Sequence, residues 1–198
     1  MIEERVLVQR ALAGDREAFA GLVRAYQGPV YNLAYRMLGS PAEAEEAAQE
    51  TFVRVYQRLA TYDPQQKLSS WVLAIASHYC IDRLRRRRLV SLPLDEAPAQ
   101  EAAEPAEAPE LALLAQERER EIQTLLAGLP EAYRLVLVLR YWQDLSYEEM
   151  ARLLGTSESA VKARLHRARE MMAQHLAKRQ EVRPVRGLER RVARHAVP

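Results

Sequence analysis

Residues 146–170 read SYEEMARLLGTSESAVKARLHRARE, two short helical patterns on either side of Gly155-Thr156-Ser157. At ~100° per residue, Val161, Leu165, Ala168 and Met172 form one narrow apolar stripe on the second helix. Lys162, Ala163, His166 and Arg167, with Ser159 and Glu170, take the opposite face, and Arg164 and Arg169 flank it. Long donors around a small residue suit a helix entering a major groove. Arginine pairs bidentately with guanine, and flanking arginines reach phosphate. A solvated amphipathic helix would carry the same charges. Against that plainer reading stand the neighbouring signals. Ser146-Tyr147-Glu148-Glu149 is a capping box, Leu145 and Met150 fall at the staple positions, and Gly155 ends a short helix. The combination has helix-turn-helix spacing.

Two further groups carry chemistry. SSWVLAIASHYCIDRLRRRR places Trp71, His78 and Tyr79 ahead of Arg83 and Arg85–Arg88. Rings stack on unpaired bases and guanidinium groups hold the backbone, so the pattern suits single-stranded DNA. A core Trp and Tyr next to a solvated helix end is the alternative. In EAEEAAQETFVRVYQRLATYD, Ala48, Phe52, Val55 and Leu59 share a stripe. Gln49, Val53 and Tyr56 form a second row, and Glu46 and Glu50 extend the polar margin. This is either one wide core face or a docking face for a helix of another protein.

The elements that must position these groups are helical. Ala, Leu, Arg and Glu abound and there are seven glycines in 198 residues, a composition that favours helix. Asp15 is placed to cap a helix over REAFAGLVRAY, which Gly28-Pro29 should break or restart, with VYNLAYRML running on to Gly39. Ser40-Pro41-Ala42-Glu43 reads as a capping box opening a helix to about Leu59, closed by Tyr62-Asp63-Pro64. Another helix starts near Ser69 or Ser70 and runs towards Arg88. Residues 90–110, VSLPLDEAPAQEAAEPAEAPE, are rich in Pro, Ala and acids, the composition of a flexible linker. Helix resumes at Leu111, is punctuated by Gly128-Leu129-Pro130, and runs again from Glu131 to about Trp142. Residues 179–198 read as a basic tail. The expected organisation is all-α: one helical domain over 1–89, the linker, and a helix-turn-helix domain over 111–178.

Bulk properties exclude other classes. The net charge is only +2, but basic residues crowd 83–88 and 162–194 while 95–110 is acidic. One cysteine and four scattered histidines give neither a disulfide nor metal-ligand spacing. No long apolar run suggests a secretory leader or a membrane span. No Gly-rich phosphate loop or nucleophile motif suggests an enzyme, so no cofactor is expected.

The three motifs in this order resemble the bacterial RNA polymerase sigma factors of the sigma-70 family, in particular the small extracytoplasmic-function group. The resemblance covers roughly residues 5–178. It implies that AEEAAQETFVRVYQRL docks on core polymerase, with Glu46, Gln49, Glu50, Val53 and Tyr56 in that face. It implies that SSWVLAIASHYCIDRLRRRR melts and reads the −10 element through Trp71, Ser77, His78, Tyr79, Arg83 and Arg85. The family often has Asn where His78 stands. It implies −35 contacts from Arg140, Tyr147, Glu148, Lys162, Ala163, His166 and Arg167. Core polymerase, promoter DNA and, as is frequent in the family, an anti-sigma protein are the implied partners, in the cytoplasm. The competing reading is a stand-alone helix-turn-helix regulator, for which the first domain should carry a ligand pocket or phosphoacceptor; neither is found.

Overall fold

The computed structural model describes the backbone of residues 2–90 and 110–192, and side chains over 4–89 and 114–178. Those residues form eight α-helices and one 3-10 turn: α1 (Ile2–Leu12), α2 (Arg16–Leu38), α3 (Pro41–Arg58), the turn Leu59–Thr61, α4 (Leu68–Val90), α5 (Glu110–Ala127), α6 (Glu131–Tyr141), α7 (Tyr147–Leu154) and α8 (Glu158–Val192). The expected linker lies outside the described residues, apart from its two ends.

Local chemistry sets most boundaries. The Asp15 carboxylate accepts from the Glu17 and Ala18 N–H groups and opens α2. Gly39 closes it at φ 84°, where a Cβ would be strained. Ser40 caps α3 through the Glu43 N–H. The return half of that expected box is not made, because the Glu43 carboxylate turns to Arg87 at 2.9 Å instead. In α7 the box is complete: Ser146 accepts from Glu149 N–H and the Glu149 carboxylate accepts from Ser146 N–H. The staple pair Leu145 and Met150 is buried beside it.

Two expectations fail. The break at Gly28-Pro29 does not occur: α2 runs through Pro29. Leu22, Val30, Leu33 and Met37 stay in phase on one buried face across the proline, so packing on both sides offsets the hydrogen bond that Pro29 cannot donate. The stretch expected to be a tail instead continues α8 to Val192. The five arginines and two glutamates of 179–192 favour helix, and adding turns to an existing helix is far easier than starting one, which offsets Pro184 and Gly187.

Around α2 pack α1, α3 and α4, while α5, α6 and α7 pack with α8. The halves also touch each other: α2 meets α5 and α6, and α4 meets α6 and α7. The buried apolar side chains form one continuous cluster through both. Cys80, on α4, is fully buried, and burial pushes its thiol up to about 12.

Candidate nucleic-acid interface

The helix-turn-helix is α7, a turn at Gly155 (φ 61°) and α8. Val161, Leu165 and Ala168 are buried beneath α8. Lys162, Ala163, His166 and Arg167 are all exposed on its outer side. The remaining candidates adjoin them. The Tyr147 ring carries Arg140 at 5.2 Å on one approach and Lys162 at 5.3 Å on another. Arg140 also donates to Leu145 O at 2.9 Å, which fixes its stem. Glu148 is exposed and holds Arg152 at 3.0 Å. On the flank, Arg169 donates to Tyr141 Oη at 2.9 Å, and that bond strengthens its hold on its proton. The surface therefore has exposed donors at its centre, on one face of α8, and tethered cations at its edge.

The α4 group is arranged differently. His78 is exposed, and Trp71 is half-buried against Tyr62 at 5.4 Å. Tyr79 is half-buried beneath Arg54, whose guanidinium carbon lies 5.0 Å from its ring centroid. Arg83 donates to Tyr79 Oη at 3.4 Å and to Glu46 at 2.6 Å, and the Glu46 carboxylate raises its already high pKa further. Ser77 is the exception. It is 1% exposed with its hydroxyl unpartnered, so it touches no DNA in this arrangement. The arginine run is also less naked than its sequence implies. Arg83 and Arg87 pair with Glu43 on α3, and Arg85 faces Glu131 on α6 at 3.8 Å. Arg86 and Arg88 have no acidic partner among the described residues.

On α3, Gln49, Val53 and Tyr56 are exposed, the last two 49% and 57%. They edge a groove of about 530 Å³ whose far wall is Phe19, Val23 and Gln27 of α2. Phe19 meets Tyr56 edge to face at 5.0 Å. Glu50 is tied to Arg54 at 2.8 Å and Glu46 to Arg83, so both acids stand at the rim. The core face of α3 is wider than its stripe indicated and includes Ala44, Ala47 and Thr51.

Comparison with known proteins decides what these surfaces belong to. The family described as Sigma-70 region 2 matches residues 22–90, and Sigma-70 region 4 matches residues 119–172. The ECF RNA polymerase sigma factor SigW of Bacillus subtilis is 35% identical over 184 residues, 89% of this chain and 97% of that one. The chain belongs to the extracytoplasmic-function sigma factors. The RNA polymerase sigma-H factor of Pseudomonas aeruginosa is 31% identical, over 85% of this chain and 91% of that one. Among solved structures, CnrH in complex with the cytosolic domain of CnrY matches at a TM-score of 0.65 and 26% identity, over 89% of this chain and 98% of that one. Region 2 of this sigma factor thus contains α4 and the α3 face, and region 4 contains the helix-turn-helix.

Sequence reasoning missed the groove's far wall and the contacts between regions 2 and 4. Phe19 and Val23 were legible as apolar, but not as uncovered. Arg134 is a charged residue within the apolar run AYRLVLVL, the one signal that marked it, whereas Gln123 follows the charged run EREREI and had no such mark. Lys67 carried none: its Nζ lies 2.6 Å from Glu149 Oε1, and with the Ser146 N–H it holds the Glu149 carboxyl down at about 2.

Proposed function

We propose that this sigma factor recruits core RNA polymerase through the α2–α3 groove and directs it to promoters, reading the −35 element with α8 and the −10 element with α4. It supplies specificity and no catalysis of its own, and works in the cytoplasm. The reading divides the chain into a −10 and polymerase-docking unit over 1–89, a linker over 90–110, a −35 unit over 111–178 and a basic extension over 179–198. One observation carries it: Lys162, Ala163, His166 and Arg167 share one exposed face above the buried Val161, Leu165 and Ala168, on the second helix of a capped helix-turn-helix. The groove supports the docking role, because Val53 and Tyr56 offer apolar area at its edge with Gln49, Glu46 and Glu50 as a polar rim. Among the described residues no helix is long and apolar enough to cross a membrane. The likeness to CnrH, which is held in complex with the cytosolic domain of CnrY, supports a bound partner protein here too, and the family resemblance makes an anti-sigma protein the candidate.

The test is transcription in vitro with core polymerase on a library randomised over both elements. Selected templates should share one −35 and one −10 motif, and the Val53→Asp/Tyr56→Ala protein should initiate poorly on all of them. Initiation without a shared motif, or undiminished in the double variant, would overturn the assignment of these surfaces.

A further inference from the structure

Tyr141 ends α6 and is 52% exposed, a ring that the core of its own helix does not use. Its partner comes from α8. Arg169 donates from Nε to the Tyr141 hydroxyl at 2.9 Å, with its guanidinium carbon 5.7 Å from the ring centroid. The Tyr147 hydroxyl also strengthens that guanidinium's hold on its proton. Arg140 and Lys162 in turn flank the Tyr147 ring at 5.2 and 5.3 Å. Two tyrosines thus gather three cations from α6 and α8. Along α8, Lys162, His166 and Arg169 fall at i, i+4 and i+7, one line at the edge of the outer face.

Carboxylates are scarce around this group. Lys162 has Glu158 at 3.4 Å, and neither Arg140 nor Arg169 has an acidic partner among the described residues. The kind of partner matters. A carboxylate fixes a guanidinium and also cancels its charge, as Glu46 does for Arg83. A phenol stays neutral up to about pH 10, so it fixes the side chain and leaves the charge whole. The bond to Tyr141 uses Nε, which leaves N–H groups on the two Nη atoms for an acceptor such as phosphate, met by two bonds at once. Ordering a long side chain beforehand removes part of the entropy that binding would otherwise lose. Gathered cations also repel one another, and an arriving anion relieves that repulsion.

We propose that Tyr141 is a positioning residue that holds Arg169, at the end of the Lys162–His166–Arg169 line, as a clamp on a phosphate of the duplex beside the bases that α8 reads. The inference rests on the reading of α8 as the −35 helix. Tyr141 acts through Arg169, and the clamp sets how far along the groove α8 lies. Phosphate contacts of this kind fix register and carry no sequence information of their own.

The experiment measures binding of the full chain to a set of fluorescent duplexes of different sequence, over a salt series. Arg169→Ala should weaken every duplex at least about tenfold at low salt and lower the salt slope by about one unit. Tyr141→Phe keeps the ring and loses the hydroxyl. It should weaken every duplex about threefold to tenfold with the slope retained, because the charge is still there. The double variant should bind no more weakly than Arg169→Ala alone, since one residue works through the other. Arg169→Lys should match Tyr141→Phe, because an ammonium keeps the charge without the fork. Both side chains are exposed, so helix content and the urea midpoint should stay at wild-type values. A Tyr141→Phe protein that binds as the wild type does, or losses that add in the double variant, overturn the positioning role. A loss in Arg169→Ala confined to particular sequences overturns the phosphate assignment, and a wild type that holds no duplex overturns both readings. A wild type that binds all sequences alike, with the dependence on Tyr141 and Arg169 intact, refutes the −35 reading and leaves the clamp standing. Sequence preference without that dependence does the reverse.

Discussion

Two helices of this protein carry rows of cations, and the fold treats them in opposite ways. On α8, Lys162, His166 and Arg167 point outward, with only same-helix acids near: Glu158 lies 3.4 Å from Lys162, and Glu170 lies 3.5 Å from His166. On α4, each of Arg83, Arg85 and Arg87 meets an acid from another helix, and Ser77 is sealed in. Same-helix pairs between exposed side chains are weak and quickly exchanged for phosphate. The pairs of α4 run between helices and so also tie one element to another, although Arg85 is itself 62% exposed. The cations of α8 thus meet acids of their own helix only, whereas those of α4 are tied to α3 and α6.

The contrast breaks most readily at Arg134. Exchanging its guanidinium for an apolar chain, Arg134→Met, strips donors from Met37 O, Ala127 O and Leu129 O. We expect a loss of about 3 kcal/mol in urea unfolding. A change below ~1 kcal/mol would mean that the contact between regions 2 and 4 stabilises little. On the open helix the effect is functional instead. Arg167→Ala should leave stability within ~0.5 kcal/mol yet remove ~1–3 kcal/mol of discrimination at one −35 base, read by binding to single-base variants. Uniform weakening across all variants would reduce Arg167 to a phosphate contact.

Ser77 sharpens the comparison from the other side. Its hydroxyl is buried and unpartnered, so Ser77→Ala should stabilise the free chain by about 1 kcal/mol, seen as a raised midpoint in urea. Lower stability would show that the hydroxyl is bonded in solution. Glu149 gives a pH signature. Its carboxyl lies at about 2 instead of its ordinary 4.5, so its contribution is complete above about pH 4.5 and fades as pH falls towards 2. Lys67→Ala should move that carboxyl back up in a carbon-13 NMR titration. A value still near 2 would credit the Ser146 cap alone. The smallest effect belongs to Glu148, exposed and paired only with Arg152. Glu148→Gln should alter stability by less than ~0.5 kcal/mol.

What the sequence reveals follows the range of the interaction. The α7 capping box, the Leu145–Met150 staple and the α8 stripe are set within a few residues, and all were readable. Pro29 misled because a local rule was overridden by packing on both sides of it. The fate of Ser77 was unreadable, since helical spacing shows that it shares a face with Ser70 and Arg85 but not that α6 and α7 cover that face. Likewise Gln123 reaches a helix end 87 and 88 residues away. The family resemblance supplied the assignment of surfaces to polymerase and promoter; no periodicity did.

Cys80 has a practical consequence. Thiol reagents attack the thiolate, and a buried group whose thiol lies at about 12 offers almost none at neutral pH. The native chain therefore takes maleimide dyes as though it had no cysteine. Cysteines placed at two exposed sites, Gln57 on α3 and Arg152 on α7, would carry a donor and an acceptor without altering the core. The distance between regions 2 and 4 could then be read by energy transfer in single molecules, with and without core polymerase.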